Sequence, residues 1–361
     1  MGKLSKIILT LIFLIALFLR IYKLAQYPVG FLWDEAALGY NSYSVLQTAR
    51  DEYGNFLPLI FKSFGDYKPG FYVYLALPSI IIFGLNEFSV RLPSAFCGAL
   101  SVLFFCLLIR EGLRTFENEE KQKATKTERL ALISSFLLAI SPWHINFSRG
   151  AWELNIMLFE VILALYLLLK YFNNQKKSLL LSSCLIFLLT LLTYQSAKLL
   201  TPALLFGLLF FFRKELKKIP SRSKTLFLGV FLGGFIVFNL LSVLGGKSGR
   251  IKTMSVFSYP RSETEKEMIL DQDNNNQTKY LVFHSSPIFF TRSVLGRYFN
   301  YFSGKFLFTM GDWSNPRNSV VYQGVLYYSD LIFLFLGLGI LLAKAKKSPL
   351  ENFFLFWLHV P

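Results

Sequence analysis

Residues 7–35 read IILTLIFLIALFLRIYKLAQYPVGFLWDE. The run Ile7–Leu19 is apolar apart from Thr10 and stops at Arg20. Such a run reads as a membrane-spanning helix, because hydrocarbon offers backbone N–H and C=O groups no partners except one another. Asp34 and Glu35 follow just beyond it, inside Tyr27-Pro28-Val29-Gly30-Phe31-Leu32-Trp33-Asp34-Glu35-Ala36. Carboxylates at the edge of a bilayer are costly to hold and mark functional positions. The pair therefore reads as the opening of an active site on the far side of the membrane.

Working outward, the rest of the chain carries the same signal. It has 361 residues, 53% of them hydrophobic, with Phe alone occurring 39 times. Mean hydropathy is +0.45. Charged residues make up 17%, against about a quarter in soluble domains. Apolar runs recur at 7–22, 70–84, 94–109, 130–142, 151–171, 179–194, 197–212, 224–244, 326–343 and from 350 onward. The expected fold is an all-α, multi-pass transmembrane helical bundle with juxtamembrane helices and one long extracytoplasmic loop over 245–325.

The net charge of +16 does not point to nucleic acid. Its lysines and arginines fall in short clusters between apolar runs: Lys121, Lys123 and Lys126; Lys176 and Lys177; Arg213, Lys214, Lys217 and Lys218; Lys344, Lys346 and Lys347. That is the distribution of cytoplasmic loops. Lys3 and Lys6 put the N-terminus inside, so Asp34 and the first loop, 24–69, lie outside. The basic loop 110–129 must then be inside, and two apolar segments separate it from Asp34. One of them does not cross; 70–84, interrupted by Pro78 and preceded by Pro69, suits a juxtamembrane or re-entrant helix. Alternation then places 143–150, 195–197 and 245–325 outside.

Other features read as background. The lysines before Ile7 resemble a signal peptide, but Arg20, Tyr22 and Lys23 stand where small residues of a cleavage site belong. Lys6 breaks the myristoylation pattern. Cys97, Cys106 and Cys184 sit in apolar runs without metal or disulfide spacing. The polar stretch 263–279 reads as a flexible excursion. Asn146-Phe147-Ser148 and Asn276-Gln277-Thr278 match a glycosylation sequon, relevant only in a eukaryote. The chain stops inside the run Phe353–Pro361, which reads as a fragment of a longer protein.

Three external segments hold the polar and aromatic groups. The first runs from Trp33 through Tyr40, Asn41, Tyr43 and Asp51 to Phe64-Gly65-Asp66-Tyr67-Lys68-Pro69-Gly70-Phe71-Tyr72. The second is Ser141-Pro142-Trp143-His144-Ile145-Asn146-Phe147-Ser148-Arg149-Gly150-Ala151-Trp152-Glu153. The third includes Arg292, Arg297, Tyr298 and Gly311-Asp312-Trp313-Ser314-Asn315-Pro316-Arg317. Carboxylates, cations and flat aromatic faces suit a sugar joined to a phosphate at a membrane surface. Each group also has a structural reading. Asp34 and Glu35 serve equally as first-turn acids of a helix to Ala49. Lys68 can snorkel, His144 can be a hydrogen-bonded core histidine, and Arg149 can face lipid phosphates.

These residues resemble the bacterial branch of the GT-C glycosyltransferases, the integral-membrane group of the protein O-mannosyltransferases and the lipid A aminoarabinose transferase. The resemblance rests on Asp34-Glu35 after the first span, on Gly65–Tyr72, on Gly84-Leu85-Asn86-Glu87-Phe88-Ser89-Val90-Arg91-Leu92-Pro93-Ser94, and on Ser141–His144 with Ser148-Arg149. It implies a polyprenyl-phosphate sugar donor, a protein, lipid or glycan acceptor, and inverting transfer on the extracytoplasmic face of the plasma membrane. It implies Asp34, with Glu35 beside it, as the catalytic acid position. Lys68 matches the lysine of a Lys-Pro-Pro element that contacts donor phosphate. Asp66, Tyr67, Arg91, His144 and Arg149 complete the implied donor and substrate set. Gly70 replaces the second proline, which should loosen the local backbone. Some relatives bind a divalent metal near the acidic pair; a full ligand set is not visible here.

A transporter or flippase of lipid-linked sugars is the alternative. It calls for ionisable residues near the midplane of broken helices. The spans 94–109, 151–171 and 326–343 hold few charges in their middles, with Glu160 the exception and Lys198 near an external end. No internal repeat is visible. A scaffold subunit, the third reading, leaves the clustered acids and aromatics without a role.

Overall fold

The computed structural model describes residues 1–116, 121–217, 219–244, 262–313, 315, 318–320, 322–344 and 347–358. Of the segments singled out above, 245–261, Lys218, Ser314, Pro316, Arg317, Lys346 and 359–361 lie outside the described residues.

The first run folds as predicted. Helix α1 spans Lys3–Ile21 and buries Leu9, Ile12, Ala16 and Arg20 along one stripe. Its other faces leave Leu4, Ile7, Leu11, Leu14 and Phe18 exposed. A helix that is apolar all round is one that meets lipid where it does not meet protein. Then come α2 (Trp33–Thr48), a hairpin of β1 (Ile60–Ser63) and β2 (Asp66–Pro69), and short helices α3 (Phe71–Leu75) and α4 (Leu77–Phe83). The central helices are α5 (Glu87–Phe116), α6 (Lys121–Ile140), α7 (Pro142–Arg149) and α8 (Glu153–Asn174). They are followed by α9 (Lys177–Thr193), α10 (Ala197–Phe211), α11 (Arg213–Lys217) and α12 (Ser221–Leu244). Further helices cover Glu263–Gln272, Gln277–Phe283, Ser286–Asn300, Asp330–Ala343 and Pro349–Leu358.

Among the described residues four helices are long and apolar enough to cross a membrane: α1, α5, α8 and α12. The pair α6–α7, bent by 56° at its junction, makes a fifth if taken as one span. The protein is an all-α multi-pass bundle. The segment 70–84 is split into helices of 5 and 7 residues. Even end to end these fall short of a hydrocarbon core of about 30 Å at roughly 1.5 Å per residue. Helices α9 and α10, at 17 and 15 residues, are also shorter than a full span.

Helix α5 is the axis of the fold. Against it α1 and α6 bury Leu9, Ile12, Ala16, Ala131, Leu132 and Ala139. On another side α2, the hairpin, α3, α4 and α8 meet it through Leu38, Val45, Phe61, Tyr72, Ile80, Val90 and Ile156. A proline explains how α3 and α4 dock. Pro93 lies within α5 and has no N–H to give the carbonyl of Ser89. That carbonyl instead accepts from Ser79 Oγ at 2.6 Å, and the Tyr72 hydroxyl donates to the Val90 carbonyl at 2.8 Å.

Two stretches differ from their sequence reading. Residues 143–150 are not a loop: Ser141 and Pro142 start α7 at its N-cap and first position, a position Pro favours. Residues 263–272, read as a flexible excursion, are helical, with the Ser262 side chain accepting from the Glu265 N–H at 3.2 Å. The β1–β2 hairpin was not anticipated.

At Gly98 of α5 there is no room for a side chain beside α7: a Cβ there would overlap the side chain of Ser148. Gly98→Ala should force the helices apart and lower stability by about 1–3 kcal/mol. The check is the unfolding midpoint of the purified protein in detergent; an unchanged midpoint would contradict this packing.

Candidate active site

The acidic pair sits on the first turn of α2, where carboxylates are favoured by the helix dipole. The two acids have opposite fates. Glu35 is 2% exposed and Arg91, from the start of α5, is fully buried against it. Arg91 grips it with two parallel bonds, Nε to Oε1 and Nη2 to Oε2, both 2.9 Å. The same carboxylate accepts from the Ala151 N–H at 2.8 Å and the Leu32 N–H at 3.1 Å. The remaining Arg91 donors reach the carbonyls of Leu24, Pro28 and Gly30. All five guanidinium N–H groups and all four acceptor sites of the carboxylate are thus used. The pair wraps residues 24–32 around one point and ties α2, α5 and the entry to α8 together. Burial, and next the Glu35 carboxylate, push the nearby Tyr72 phenol well above its usual range, so it remains a donor to Val90.

Asp34, one residue earlier, faces elsewhere because neighbours on a helix do not share a face. It is ion-paired with Lys68 of β2, the aspartate side chain being 30% exposed and the lysine 13%. The hairpin presents this lysine. Its register is Ile60↔Pro69, Phe61↔Lys68, Lys62↔Tyr67 and Ser63↔Asp66, leaving Phe64 and Gly65 as the turn. Asp66 and Tyr67 lie half-buried at the tip, the Asp66 carboxylate accepting from the Tyr67 N–H at 2.8 Å. Ring contact between Trp33 and Phe64, 6.2 Å between centroids, is a second link from hairpin to α2.

Gly70 does not loosen this backbone. Its N–H donates to the Leu59 carbonyl at 2.9 Å, and a Cβ at this position would run into the Phe61 ring. A second proline would lose the first and collide with the second. Phe61 occupies the space that a side chain at position 70 would fill.

The other expected site residues lie apart from Asp34 and Lys68. His144 is fully buried. Its Nδ1 meets Arg20, which also donates to the carbonyls of Ala16, Leu138 and Ala139 and to Ser148 Oγ. Asn155 extends the network to Ser94, 2.8 Å from that residue's carbonyl. Arg149 donates to the carbonyls of Leu19, Tyr22 and Tyr27, clasping the chain as it leaves α1. Arg91 therefore holds Glu35 and backbone, Arg149 holds backbone, and His144 meets Arg20. Asp51 is committed to its own loop, accepting from the N–H groups of Tyr53 and Asn55. Arg292 and Arg297 lie exposed on the helix Ser286–Asn300. Glu160 is buried on α8 and accepts from Thr193 Oγ1 at 2.7 Å. An apolar cavity of about 390 Å³, lined by Leu108, Leu169 and Phe212, opens in the halves of α5 and α8 remote from Asp34.

The groups around Asp34 do not form a divalent-metal ligand set. Among the described residues no three His, Cys, Asp or Glu side chains cluster. Glu35 has no acceptor site left, and Asp34 faces an ammonium.

Sequence reasoning missed the partnership of Glu35 with Arg91, and missed Arg20 as the centre of a buried network. The available signal was an arginine at the end of the run 7–22 and another before the run 94–109, Arg20 and Arg91, where a lone cation needs a partner. Replacing Arg91 by Met leaves Glu35 buried and unpaired, which should cost about 3–5 kcal/mol. Thermal unfolding of the detergent-solubilised variant checks this; a midpoint equal to that of the wild type would remove the pair from the centre of the fold.

Residues 68–241 match the family described as dolichyl-phosphate-mannose-protein mannosyltransferase. The match begins at Lys68 and takes in Arg91, His144, Arg149 and Glu160, but not Asp34 or Glu35. YkcB of Bacillus subtilis (strain 168), a mannosyltransferase by name, is 28% identical over 167 residues, which is 45% of this chain and 20% of that protein. The oligosaccharyltransferase AglB of Archaeoglobus fulgidus, solved with an inhibitory peptide and a dolichol-phosphate, superposes with a TM-score of 0.53 at 17% identity. The superposition covers 98% of this chain and 46% of AglB. A structure of the Archaeoglobus fulgidus oligosaccharyltransferase with Zn and sulfate gives a TM-score of 0.51 at 17% identity, covering 97% and 45%. The chain thus spans less than half the length of the relatives it matches. The chain is thus similar in sequence, over residues 68–241, and in fold, over nearly its whole length, to membrane glycosyltransferases of the GT-C type.

Proposed function

We propose that the protein is an inverting glycosyltransferase that moves a sugar from a polyprenyl-phosphate donor to a cell-envelope acceptor hydroxyl or amine on the extracytoplasmic face. The observation that carries this reading is the partly open Asp34–Lys68 pair, a carboxylate and an ammonium at one end of a GT-C bundle. A hydroxyl is a poor nucleophile at neutral pH, and a carboxylate about 3 Å away can take its proton as attack proceeds. The acceptor oxygen bonds to the anomeric carbon from the face opposite the leaving group, so configuration inverts. The bond from that carbon to the phosphate oxygen breaks, and its electrons leave with the lipid phosphate. Lys68 stabilises the charge that builds there. In the resting protein the same ammonium neutralises Asp34; arrival of donor phosphate would draw it off and free the carboxylate for the acceptor.

Glu35 and Arg91 act as positioning residues in this reading, together with Arg149, and His144 belongs to the supporting network. Asp66 and Tyr67 shape the hairpin tip that carries Lys68. With the N-terminus cytoplasmic, Asp34 lies on the outer face of the plasma membrane, where lipid-linked sugars meet envelope acceptors.

The test is transfer from a panel of radiolabelled polyprenyl-phosphate sugars in membranes containing the full-length protein. Asp34→Asn should lower kcat by about 10²–10⁴-fold while donor binding persists; full activity would remove Asp34 as the base. Lys68→Ala should weaken binding of donor and of bare polyprenyl phosphate alike. Movement of labelled lipid between leaflets without transfer would replace the enzyme by a transporter.

A further inference from the structure

The hairpin tip is built against local preference. Both turn residues have positive φ, 48° at Phe64 and 80° at Gly65. A two-residue turn of this kind favours Asn-Gly or Asp-Gly, because an L side chain is strained there. A bulky aromatic at such a position is an outlier that needs a reason. Packing is not the reason, since Phe64 is 70% exposed. Trp33, against which its ring tilts at 45°, is 56% exposed.

The position of the two rings supplies one. Trp33 immediately precedes Asp34, and Phe64 is four residues from Lys68 on the same hairpin. The hairpin therefore joins α2 twice, through an ion pair and through an aromatic pair, at adjacent residues of its first turn. A sugar esterified to a phosphate has its ring fixed one oxygen away from that phosphate. If Lys68 holds the phosphate, the ring lies beside the hairpin, whose tip carries Phe64. Its C–H faces are apolar and match exposed aromatic rings.

We propose that Trp33 and Phe64 form the donor-sugar subsite, a two-ring platform that holds the pyranose of the lipid-linked donor beside Asp34. This rests on the transferase reading given above. The pair recognises the sugar and not the lipid phosphate, which separates it from Lys68. It is also separate from an aromatic anchor in the bilayer interface, which would take no account of the sugar.

The experiment measures binding of two probes to the full-length protein in nanodiscs: bare polyprenyl phosphate, and the polyprenyl-phosphate sugar that the wild type turns over, mannose being tried first. Trp33→Ala and Phe64→Asn should each raise Kd for the sugar-bearing lipid by roughly 3- to 10-fold, with Kd for the bare lipid unchanged. Phe64→Asn relieves the turn, so its unfolding midpoint should equal or exceed that of the wild type. A Phe64 that served only the fold would lower the midpoint and leave both Kd values alone. Active wild-type protein whose two variants bind both lipids as it does, or lose both equally, overturns the subsite alone. Wild-type protein that transfers no sugar overturns the transferase reading and the subsite with it.

Discussion

The buried ion pair of Glu35 with Arg91 is the interaction on which the rest of the site depends. Removing two charges from water is expensive, and only complete hydrogen bonding offsets that cost. Here the offset is complete: five donors of the guanidinium and four acceptor sites of the carboxylate are all engaged, several with backbone groups of residues 24–32 and Ala151. Those backbone groups belong to a segment with no regular structure of its own. The pair thus converts a loose connection after α1 into a fixed one. It also fixes the pitch and rotation of the first turn of α2, and through that turn the direction of Asp34.

This arrangement divides labour inside a two-residue motif. Asp34 and Glu35 look interchangeable in the chain, yet a rotation of roughly 100° per helical residue sends one into the core and the other toward Lys68. The hairpin completes the arrangement from the opposite side. Its strands are short, and a lone hairpin is marginal by itself. It is held by Phe61 in the core, by the Gly70 N–H on Leu59, and by its two links to α2. A second network, centred on Arg20 and His144, secures α1, α6 and α7 in the same manner, with the buried Arg20 guanidinium satisfied by the last carbonyls of α6 and by the His144 ring.

Much of the fold was legible in the sequence. Apolar runs gave the long helices, and the prolines around 70–84 marked a segment too broken to cross. Asp34 and Lys68, thirty-four residues apart, were singled out together and do meet. What stayed hidden has identifiable physical causes. The partner of Glu35 lies 56 residues away, and nothing local distinguishes its role from that of Asp34. The hairpin was obscured because four-residue strands show too little alternation and the turn carries Phe where Asn is expected. In two places the local signal was present and was overruled by composition. Ser141-Pro142 is a helix start, and Ser262 with Glu265 three residues later resembles a capping box; the first segment reads as an external connection between two apolar runs, and the second as a flexible excursion because it is polar. Gly70 was read for its freedom, whereas the structure uses its lack of a side chain.

The account's central claim is that Asp34 and Lys68 face the reacting sugar phosphate while Glu35 and Arg91 hold the frame. An experimental structure of the full-length protein with a non-hydrolysable polyprenyl-phosphonate sugar tests it most directly. The account predicts phosphonate oxygens within hydrogen-bonding distance of Lys68 Nζ, Asp34 released from that lysine and turned toward the anomeric carbon, and the Glu35–Arg91 bonds unchanged. A phosphonate bound away from Lys68, or Glu35 withdrawn from Arg91 to contact the ligand, would contradict it.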